Sequence, residues 1–306
     1  MDGDVSFEAD IWSNWLRNHR HGGDADYERH VHSRVAAYVK RVLDGAKLWP
    51  DTTMLDIGSG EGAVGFAAIE RLGARLQVMF IDISPALLRH AEALALCAGV
   101  AKQCQFLQAS VERMPALADE TMDVVTSRAA LAYVADKPAA LRECFRVLKP
   151  GGRISIGEPM FRDEAMVAAA LGEVLAARPQ GHPDRLLPLV QRWQAAQFPA
   201  TAEGIAAHPL TNFSERDLVR FFQQAGFCQI HLELHIDVCQ PTPMPWEVFI
   251  NTSPHPLAPT LAEIMSTRFD AEARGIFEHA MRPTVVSGNR TCVDRMAYVT
   301  AMKPHF

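Results

Sequence analysis

Short apolar runs recur along the first half of the chain, and amphipathic helical patterns occupy most of the gaps between them. The apolar runs predict strands at Thr53–Ile57, Leu76–Ile81, Met122–Ser127 and Arg153–Gly157, with a weaker strand at Cys104–Leu107. The amphipathic patterns predict helices at Gly62–Leu72, Pro85–Ala98 and Lys137–Leu148. Strands that alternate with helices in this way are typical of a parallel sheet with helices on both faces.

Three parts of the chain depart from this alternation. Residues 1–50 carry helical patterns rich in Trp, Arg and His, and we interpret them as an N-terminal helical lid. The main domain then covers residues 51–306, with Pro-punctuated helical insertions at about 160–207 and 241–289 that we expect to form a cap over the sheet. Two further strand-like runs, Gln229–Val238 and Cys292–Met302, lie on either side of the second insertion.

A glycine-rich turn follows the first predicted strand in the sequence MLDIGSGEGAVGFAA. Gly58, Gly60 and Gly62 let the backbone approach a ligand closely, at the start of a helix whose free N–H groups favour anions. The spacing from Gly58 to Ala63 also satisfies the dinucleotide fingerprint, and Asp82 ends the next strand, where a ribose-binding acid belongs. These features alone fit NAD(P) and S-adenosylmethionine equally well.

Asp56 distinguishes between the two candidate cofactors. It interrupts the apolar strand two residues before the first glycine. A carboxylate at this position repels the pyrophosphate of a dinucleotide. S-adenosylmethionine instead carries a sulfonium and an ammonium group, which a nearby carboxylate favours. Asp56 therefore favours S-adenosylmethionine.

Four motifs in order resemble class I S-adenosylmethionine-dependent methyltransferases: LDIGSGEG, FIDIS, ASVERMP and RVLKPGGRISI. The resemblance covers Leu48–Pro159. It implies a Rossmann-like α/β fold with a seven-stranded, mostly parallel sheet whose last strand is antiparallel, and it implies S-adenosyl-L-homocysteine as product. One position departs from the family, which often has an Asp contacting the adenine amino group where this chain has Ser110.

The same resemblance implies the residues that hold the cofactor. The turn contributes Asp56, Gly58, Ser59, Gly60 and Gly62; Asp82 binds the ribose hydroxyls, and Ile83, Ser110 and Val111 surround the adenine. A looser resemblance links WSNWLRNHRHGGDADY to a bacterial small-molecule methyltransferase subgroup. In that segment we expect Trp12, Trp15, Arg20 and Tyr27 to form a lid, with Trp15 and Arg20 touching the cofactor; ordinary packing of the aromatic residues is the alternative.

Candidate acceptor-binding residues lie just beyond the fourth and fifth predicted strands. Arg128 is suited to a carboxylate, Tyr133 lies in the same stretch, and Glu158 is suited to an ammonium group or to a role as base. An ion pair for Arg128 and a buried structural role for Glu158 are the alternatives. One concrete acceptor is a thioether amino acid such as methionine, which has no proton to remove; O- or N-methylation of a secondary metabolite also fits.

A metal is not expected. His231, Glu233 and His235 share one face of a predicted strand, a geometry that would suit a metal. Because the opposite face is apolar (Ile230, Leu232, Leu234 and Ile236), we interpret the polar face as solvated.

Composition narrows the partners of the protein. The formal net charge is −6, no dense basic run is present, and no apolar run has the length of a membrane span, so neither nucleic acid nor a membrane is expected. The start, MDGDVSFEAD, does not predict an export signal, and six scattered cysteines suit a reduced cytoplasm. The expected function is methyl transfer to a small molecule. An NAD(P) oxidoreductase and a non-catalytic ligand-binding protein are the competing classes, and an oligomer stays open.

Overall fold

A computed structural model of the chain describes residues 10–179 and 181–305. Residues 1–9, on which the expectation about an export signal partly rests, lie outside this description. The strands form one sheet in the order β3-β2-β1-β4-β5-β7-β6. Their bounds are β1 Thr52–Ile57, β2 Leu76–Asp82, β3 Cys104–Gln108, β4 Met122–Arg128, β5 Leu148–Pro159, β6 Cys228–Cys239 and β7 Cys292–Met302.

The direction of the strands confirms the predicted fold class. β1 to β5 pair in parallel, and β7 runs antiparallel between β5 and β6. The start of β5 differs from the prediction: the register against β4 shifts between Met122 and Val124, so the residues from Lys149 to Gly152 form an irregular strand start rather than a separate turn. Gly151 allows this irregularity with φ of +77°.

Helices cover both faces of the sheet. In the N-terminal half they are α1 Ile11–Asn14, a π-helical turn Trp15–His19, α2 Ala25–Ala46, α3 Ala63–Leu72, α4 Pro85–Cys97 and α5 Lys137–Val147. In the C-terminal half they are α6 Arg162–Ala176, α7 Leu187–Gln197, α8 Ala202–Ala207, α9 Glu215–Ala225, α10 Trp246–Ile250, α11 Leu261–Arg268 and α12 Ala271–Ser287. Ser84 caps α4 by accepting from the Leu87 N–H at 3.1 Å, as predicted, and Asp136 caps α5 in the same way.

The predicted N-terminal lid divides into two parts with different surroundings. The C-terminal half of α2 belongs to the sheet core, because Val39, Val42, Leu43 and Ala46 are buried against β4, β5 and β7. Residues 10–38 instead run over the carboxyl ends of the strands. The first nine residues of the predicted lid lie outside the described part of the chain.

Helices from the two predicted insertions pack against each other, α7 against α11 and α12, and we call this helical region the cap. Their own apolar cluster is separate from the two clusters that flank the sheet. It includes Leu189 of α7, Trp246 and Phe249 of α10, Ile264 of α11 and Phe277 of α12. Within residues 10–179 and 181–305, no helix has the length and apolar character required to cross a membrane.

Candidate functional site

A cavity of about 790 Å3 opens at the carboxyl ends of β1, β2, β4 and β5. This is the edge where ligands bind in open α/β sheets. We call one part of it the glycine end, lined by Asp56, Gly58, Ser59, Gly60, Asp82 and Arg128. The other part, beneath the cap, is the cap chamber, lined by Tyr27, Tyr38, Trp193, Phe249, Arg290 and Asp294.

The glycine turn leaves no space for side chains at its first position. Gly58 has φ of +58°, and a Cβ placed there would lie 2.1 Å from the Cβ of Ala130. The hydroxyl oxygen of Ser59 is buried in the turn and has no hydrogen-bond partner among the described residues. A buried polar atom facing a cavity in this way is suited to a ligand. Gly62 is a correction to the predicted cofactor set, since it lies below the turn against Phe66 and does not line the cavity.

Asp56 lines the cavity while its two oxygens hold neighbouring elements together. It accepts the Gly65 N–H of α3 at 3.1 Å and the Thr126 hydroxyl of β4 at 2.9 Å. Burial raises the pKa of Asp56 to about 7, although the hydrogen bonds from Thr126 and Gly65 act in the opposite direction. A cationic ligand group at this point favours the ionised carboxylate.

Asp82 is held by backbone hydrogen bonds at the end of β2. Its oxygens accept the Gly60 N–H and the Ser84 N–H, each at 2.8 Å. Burial raises the pKa of this carboxyl. The neighbouring Ile83 also lines the cavity and is 49% exposed, so an apolar face lies open beside a fixed carboxylate. This pairing suits a ribose next to a planar base.

Ser110 and Val111 line the cavity, but the Ser110 hydroxyl is engaged with Glu112. It accepts the Glu112 N–H and donates to Glu112 Oε2, both at 3.3 Å. Glu112 lines the cavity as well, and its other oxygen accepts the Asp136 N–H at 2.7 Å. An acidic side chain is therefore present two residues after the position where the family often has its Asp. The sequence alone does not indicate this place for Glu112, because the family motif marks the position of Ser110.

The N-terminal segment covers the glycine end of its own chain. Trp12 packs edge-on against Tyr133, with ring centroids 5.1 Å apart. The indole N–H of Trp15 donates to the Ser253 carbonyl at 3.0 Å, which ties the segment to the cap. All four predicted lid residues, Trp12, Trp15, Arg20 and Tyr27, line the cavity.

Two arginines approach the glycine end without a carboxylate partner at ion-pair distance among the described residues. Arg20 lies over the Trp15 ring at 5.9 Å, and its Nε is buried without a hydrogen-bond partner. Burial and the charge of Arg128 both lower the pKa of Arg20. Burial likewise lowers the pKa of Arg128, against the opposing effects of Tyr133, Glu158 and Asp56. An anionic group between the two guanidinium groups would relieve their repulsion.

Glu158 is a correction to the predicted acceptor-binding set. It is fully buried and does not line the cavity, whereas Arg128 and Tyr133 do. Its oxygens accept the Ala132 N–H at 2.9 Å and the Ala130 N–H at 3.3 Å. Glu158 thus fixes the loop after β4 that carries Tyr133, which is the structural alternative considered from the sequence.

The cap chamber contains a polar cluster that sequence reasoning missed. The Tyr38 hydroxyl donates to Asp294 Oδ2, and Arg34 donates to the same oxygen at 3.1 Å. Burial and the hydrogen bond to Asp294 raise the pKa of Tyr38 to about 12. The spacing of Tyr27, Val31, Arg34 and Tyr38 places them on one helix face, and this periodicity is visible in the sequence.

The edge strand β6 carries the His-Glu-His pattern away from the cavity. Glu233 contacts His231 at 3.3 Å and His235 at 3.0 Å. Among the described residues, no group of three or more His, Cys, Asp or Glu side chains is arranged to hold a metal ion. The apolar face is less buried than predicted, since Leu234 is 40% and Ile236 52% exposed.

The central part of the chain is similar to a known protein family. A family model described as a methyltransferase domain matches residues 49–226. A nocamycin O-methyltransferase from Saccharothrix syringae is 30% identical over 203 residues, which are 65% of this chain and 67% of that protein. A ubiquinone/menaquinone biosynthesis C-methyltransferase from Klebsiella pneumoniae is 30% identical over 178 residues, 57% of this chain and 66% of that protein. The chain thus spans about two thirds of the length of these relatives.

Two solved structures share the fold at low identity. The YcgJ protein from Bacillus subtilis superposes with a TM-score of 0.53 at 15% identity, over 88% of this chain and 98% of that one. A protein solved in complex with the Haloferax volcanii Trm112 methyltransferase activator also gives 0.53, at 18% identity, over 97% of this chain and 99% of that one.

Proposed function

Since the chain belongs to the family defined by this methyltransferase domain, we propose that it methylates a small molecule bound in the cap chamber. S-adenosylmethionine is the methyl donor of the reaction. The observation that carries the proposal is the continuity of the cavity, which joins the glycine end to a largely aromatic chamber under the cap. Donor and acceptor then have adjoining places in one space.

The glycine end fits the cofactor at both of its extremities. Asp82 offers a fixed carboxylate for the ribose hydroxyls, and Ile83 offers an apolar face for the adenine. Asp56 is suited to the ammonium group, and the free Ser59 hydroxyl faces the same part of the cavity. The positive charges of Arg20 and Arg128 suit the carboxylate of the methionine moiety.

The bound cofactor supplies a methyl group that its sulfonium has already activated. The protein therefore contributes mainly position and exclusion of water. Trp12, Trp15 and Tyr133 enclose the glycine end, and the contact of Trp15 with Ser253 holds the lid against the cap. The acceptor approaches from the cap chamber, past Arg128 and Tyr38.

Methylation of oxygen or nitrogen also requires that a proton leave the acceptor, and the Tyr38–Asp294 pair is suited to take it. The Tyr38 hydroxyl lines the chamber and donates to Asp294. A proton from the acceptor passes to the Tyr38 oxygen as the phenol proton moves to Asp294. The Asp294 carboxylate then becomes a neutral carboxylic acid, and Tyr38 stays a neutral phenol. This pair favours O- or N-methylation.

Methionine is a second candidate acceptor, but fewer contacts support it. Its carboxylate would compete with that of the cofactor for Arg128. The residue expected to hold its ammonium group, Glu158, faces the backbone of the loop after β4 instead. The remaining chamber carboxylate, Asp294, is already bound by Arg34 and Tyr38. A thioether also has no use for the proton path.

A turnover assay tests the proposal. The protein is incubated with S-adenosylmethionine and a panel of phenols, carboxylic acids, amines and methionine, and formation of S-adenosylhomocysteine is followed by mass spectrometry. We expect product with at least one O- or N-acceptor. Tight binding of S-adenosylhomocysteine without turnover of any acceptor supports the non-catalytic alternative, and binding of NADH without S-adenosylhomocysteine binding supports the oxidoreductase.

A further inference from the structure

Arg290 stands apart from the other cationic side chains that line the cavity. Arg34 is paired with Asp294 at 3.1 Å, and Arg20 and Arg128 face the glycine end. Arg290 lines the cap chamber, and among the described residues no carboxylate forms an ion pair with it. One positive charge of the chamber is therefore left without a counter-ion.

The surroundings of Arg290 make its unpaired positive charge energetically unfavourable. Its guanidinium group lies over the Phe249 ring at 4.5 Å, and its Nε is buried without a hydrogen-bond partner among the described residues. The ionisable groups that influence it most are Tyr27 and Cys292, neither of which is charged at neutral pH. A guanidinium group in such a place gains most from an anion that brings two acceptor oxygens.

The distance of Arg290 from the glycine end determines how long a ligand must be to contact both. Tyr27 of α2 lies near Arg290, and Tyr38 of the same helix lies near Arg128. These tyrosines are eleven positions apart in the sequence, and at the helical rise they are about 16 Å apart along the axis. A ligand that touches both ends of the chamber is therefore long, and the chamber walls between the ends are mostly aromatic and aliphatic.

We propose that the acceptor is an elongated, largely apolar or aromatic carboxylic acid whose carboxylate binds Arg290 and whose methylated atom lies near Tyr38. The inference rests on the function proposed above and names the class of acceptor for that site. A single guanidinium group balances one negative charge, which favours a carboxylate over a doubly charged phosphate. The Arg290 guanidinium group lies over the Phe249 ring at 4.5 Å, and its planar fork can donate two parallel hydrogen bonds to one carboxylate.

The test uses a matched pair of probes, biphenyl carboxylate and biphenyl carboxamide, which differ in charge and hardly in shape. Each is titrated calorimetrically into protein saturated with S-adenosylhomocysteine. We expect wild type to bind the acid at least about tenfold tighter than the amide. The Arg290→Gln variant should lose this preference, and Arg290→Lys should keep only part of it, because an ammonium group does not reproduce the planar fork.

Arg192→Gln is the control. Arg192 belongs to the cap and lies 5.9 Å from the Phe269 ring, but it does not line the cavity. This variant should keep the full preference for the acid. Equal binding of the two probes by wild type, or an unchanged preference in Arg290→Gln, would overturn the inference.

S-adenosylhomocysteine affinity separates this failure from failure of the proposed function. All four proteins should bind it equally, since Arg290 lies outside the glycine end. If wild type does not bind S-adenosylhomocysteine at all, the proposed function fails before the probes are compared. If wild type binds S-adenosylhomocysteine but binds the two probes equally, only the proposed class of acceptor is wrong.

Discussion

The glycine end and the cap chamber belong to one cavity but are built in different ways. The glycine end is a backbone structure: N–H groups of Gly60, Gly65 and Ser84 fix the carboxylates of Asp56 and Asp82. The cap chamber is made of side chains from segments far apart in the sequence, as Tyr38 and Asp294 illustrate. The backbone geometry of the turn allows little variation, whereas the side chains that line the chamber can change without altering that backbone.

The packing of the two regions follows the same division. The glycine end rests on the clusters that flank the sheet, while the cap has a separate apolar cluster around Phe249, Trp246 and Phe277. Changes in the cap chamber should therefore alter which acceptor binds and leave cofactor binding intact. Changes in the glycine turn should remove both.

Gly58→Ala should give the largest effect. The added Cβ would lie 2.1 Å from that of Ala130, at a positive φ that disfavours alanine. Since either the turn or the Ala130 loop must move, we expect S-adenosylhomocysteine affinity to fall by about a hundredfold or more in calorimetry, roughly 3 kcal/mol.

Gly99→Ala is the matched control for this substitution. Gly99 also has positive φ, of +71°, but a Cβ placed there meets no heavy atom within 4 Å. It should cost about 1 kcal/mol of stability and no affinity. Wild-type affinity in Gly58→Ala would show that the turn does not hold the cofactor.

Tyr38→Phe should give the next largest effect, and on turnover alone. The variant removes the hydroxyl that donates to Asp294 but keeps the ring that lines the chamber. For an O- or N-acceptor we expect kcat to fall about a hundredfold, with S-adenosylhomocysteine affinity unchanged. Tyr298→Phe, which alters a tyrosine outside the cavity lining, serves as control, and equal loss in both variants would argue against the proton path.

Asp56→Asn should have a smaller effect that depends on pH. Because burial raises the pKa of Asp56 to about 7, above its unfolded value, the proton stabilises the unliganded fold. That contribution is fully present below the unfolded pKa, about 3.9, and is lost as the pH rises through about 7. The stability of the variant, which cannot ionise, should therefore rise relative to wild type between about pH 4 and pH 7, by no more than a few kcal/mol, and level off on both sides of this range.

Thermal unfolding of unliganded protein across this pH range measures the difference. Parallel pH profiles for wild type and Asp56→Asn would contradict the assignment. With cofactor bound, the ionised form of Asp56 gains a cationic neighbour, so the advantage of the variant near neutral pH should shrink.

The sequence predicts the glycine end well because its chemistry is local. Asp56 and Gly58 belong to one strand and its turn, and Asp82 ends the next strand in a sheet whose connections bring those ends together. The role of Glu158 is beyond such local reasoning, because a place at a strand end does not determine which way a carboxylate points. Gly62 does not line the cavity because it caps α3 and packs against Phe66.

The cap chamber was largely out of reach of sequence reasoning. Asp294 and Tyr38 are 256 residues apart, and Arg290 gains its role only because Phe249 packs against it. Such contacts depend on how α2, the second insertion and the segment around β7 pack together. The family motifs end before the second insertion, so no local sequence pattern predicts the contacts of the cap chamber.

The central claim is that the cofactor is held by the glycine end and not by the cap. Calorimetric titration of S-adenosylhomocysteine into wild type, Gly58→Ala and Trp193→Ala tests it most directly, because Trp193 lines only the cap chamber. We predict that Trp193→Ala binds within about threefold of wild type while Gly58→Ala loses binding. Loss of binding in Trp193→Ala together with wild-type affinity in Gly58→Ala would contradict the claim.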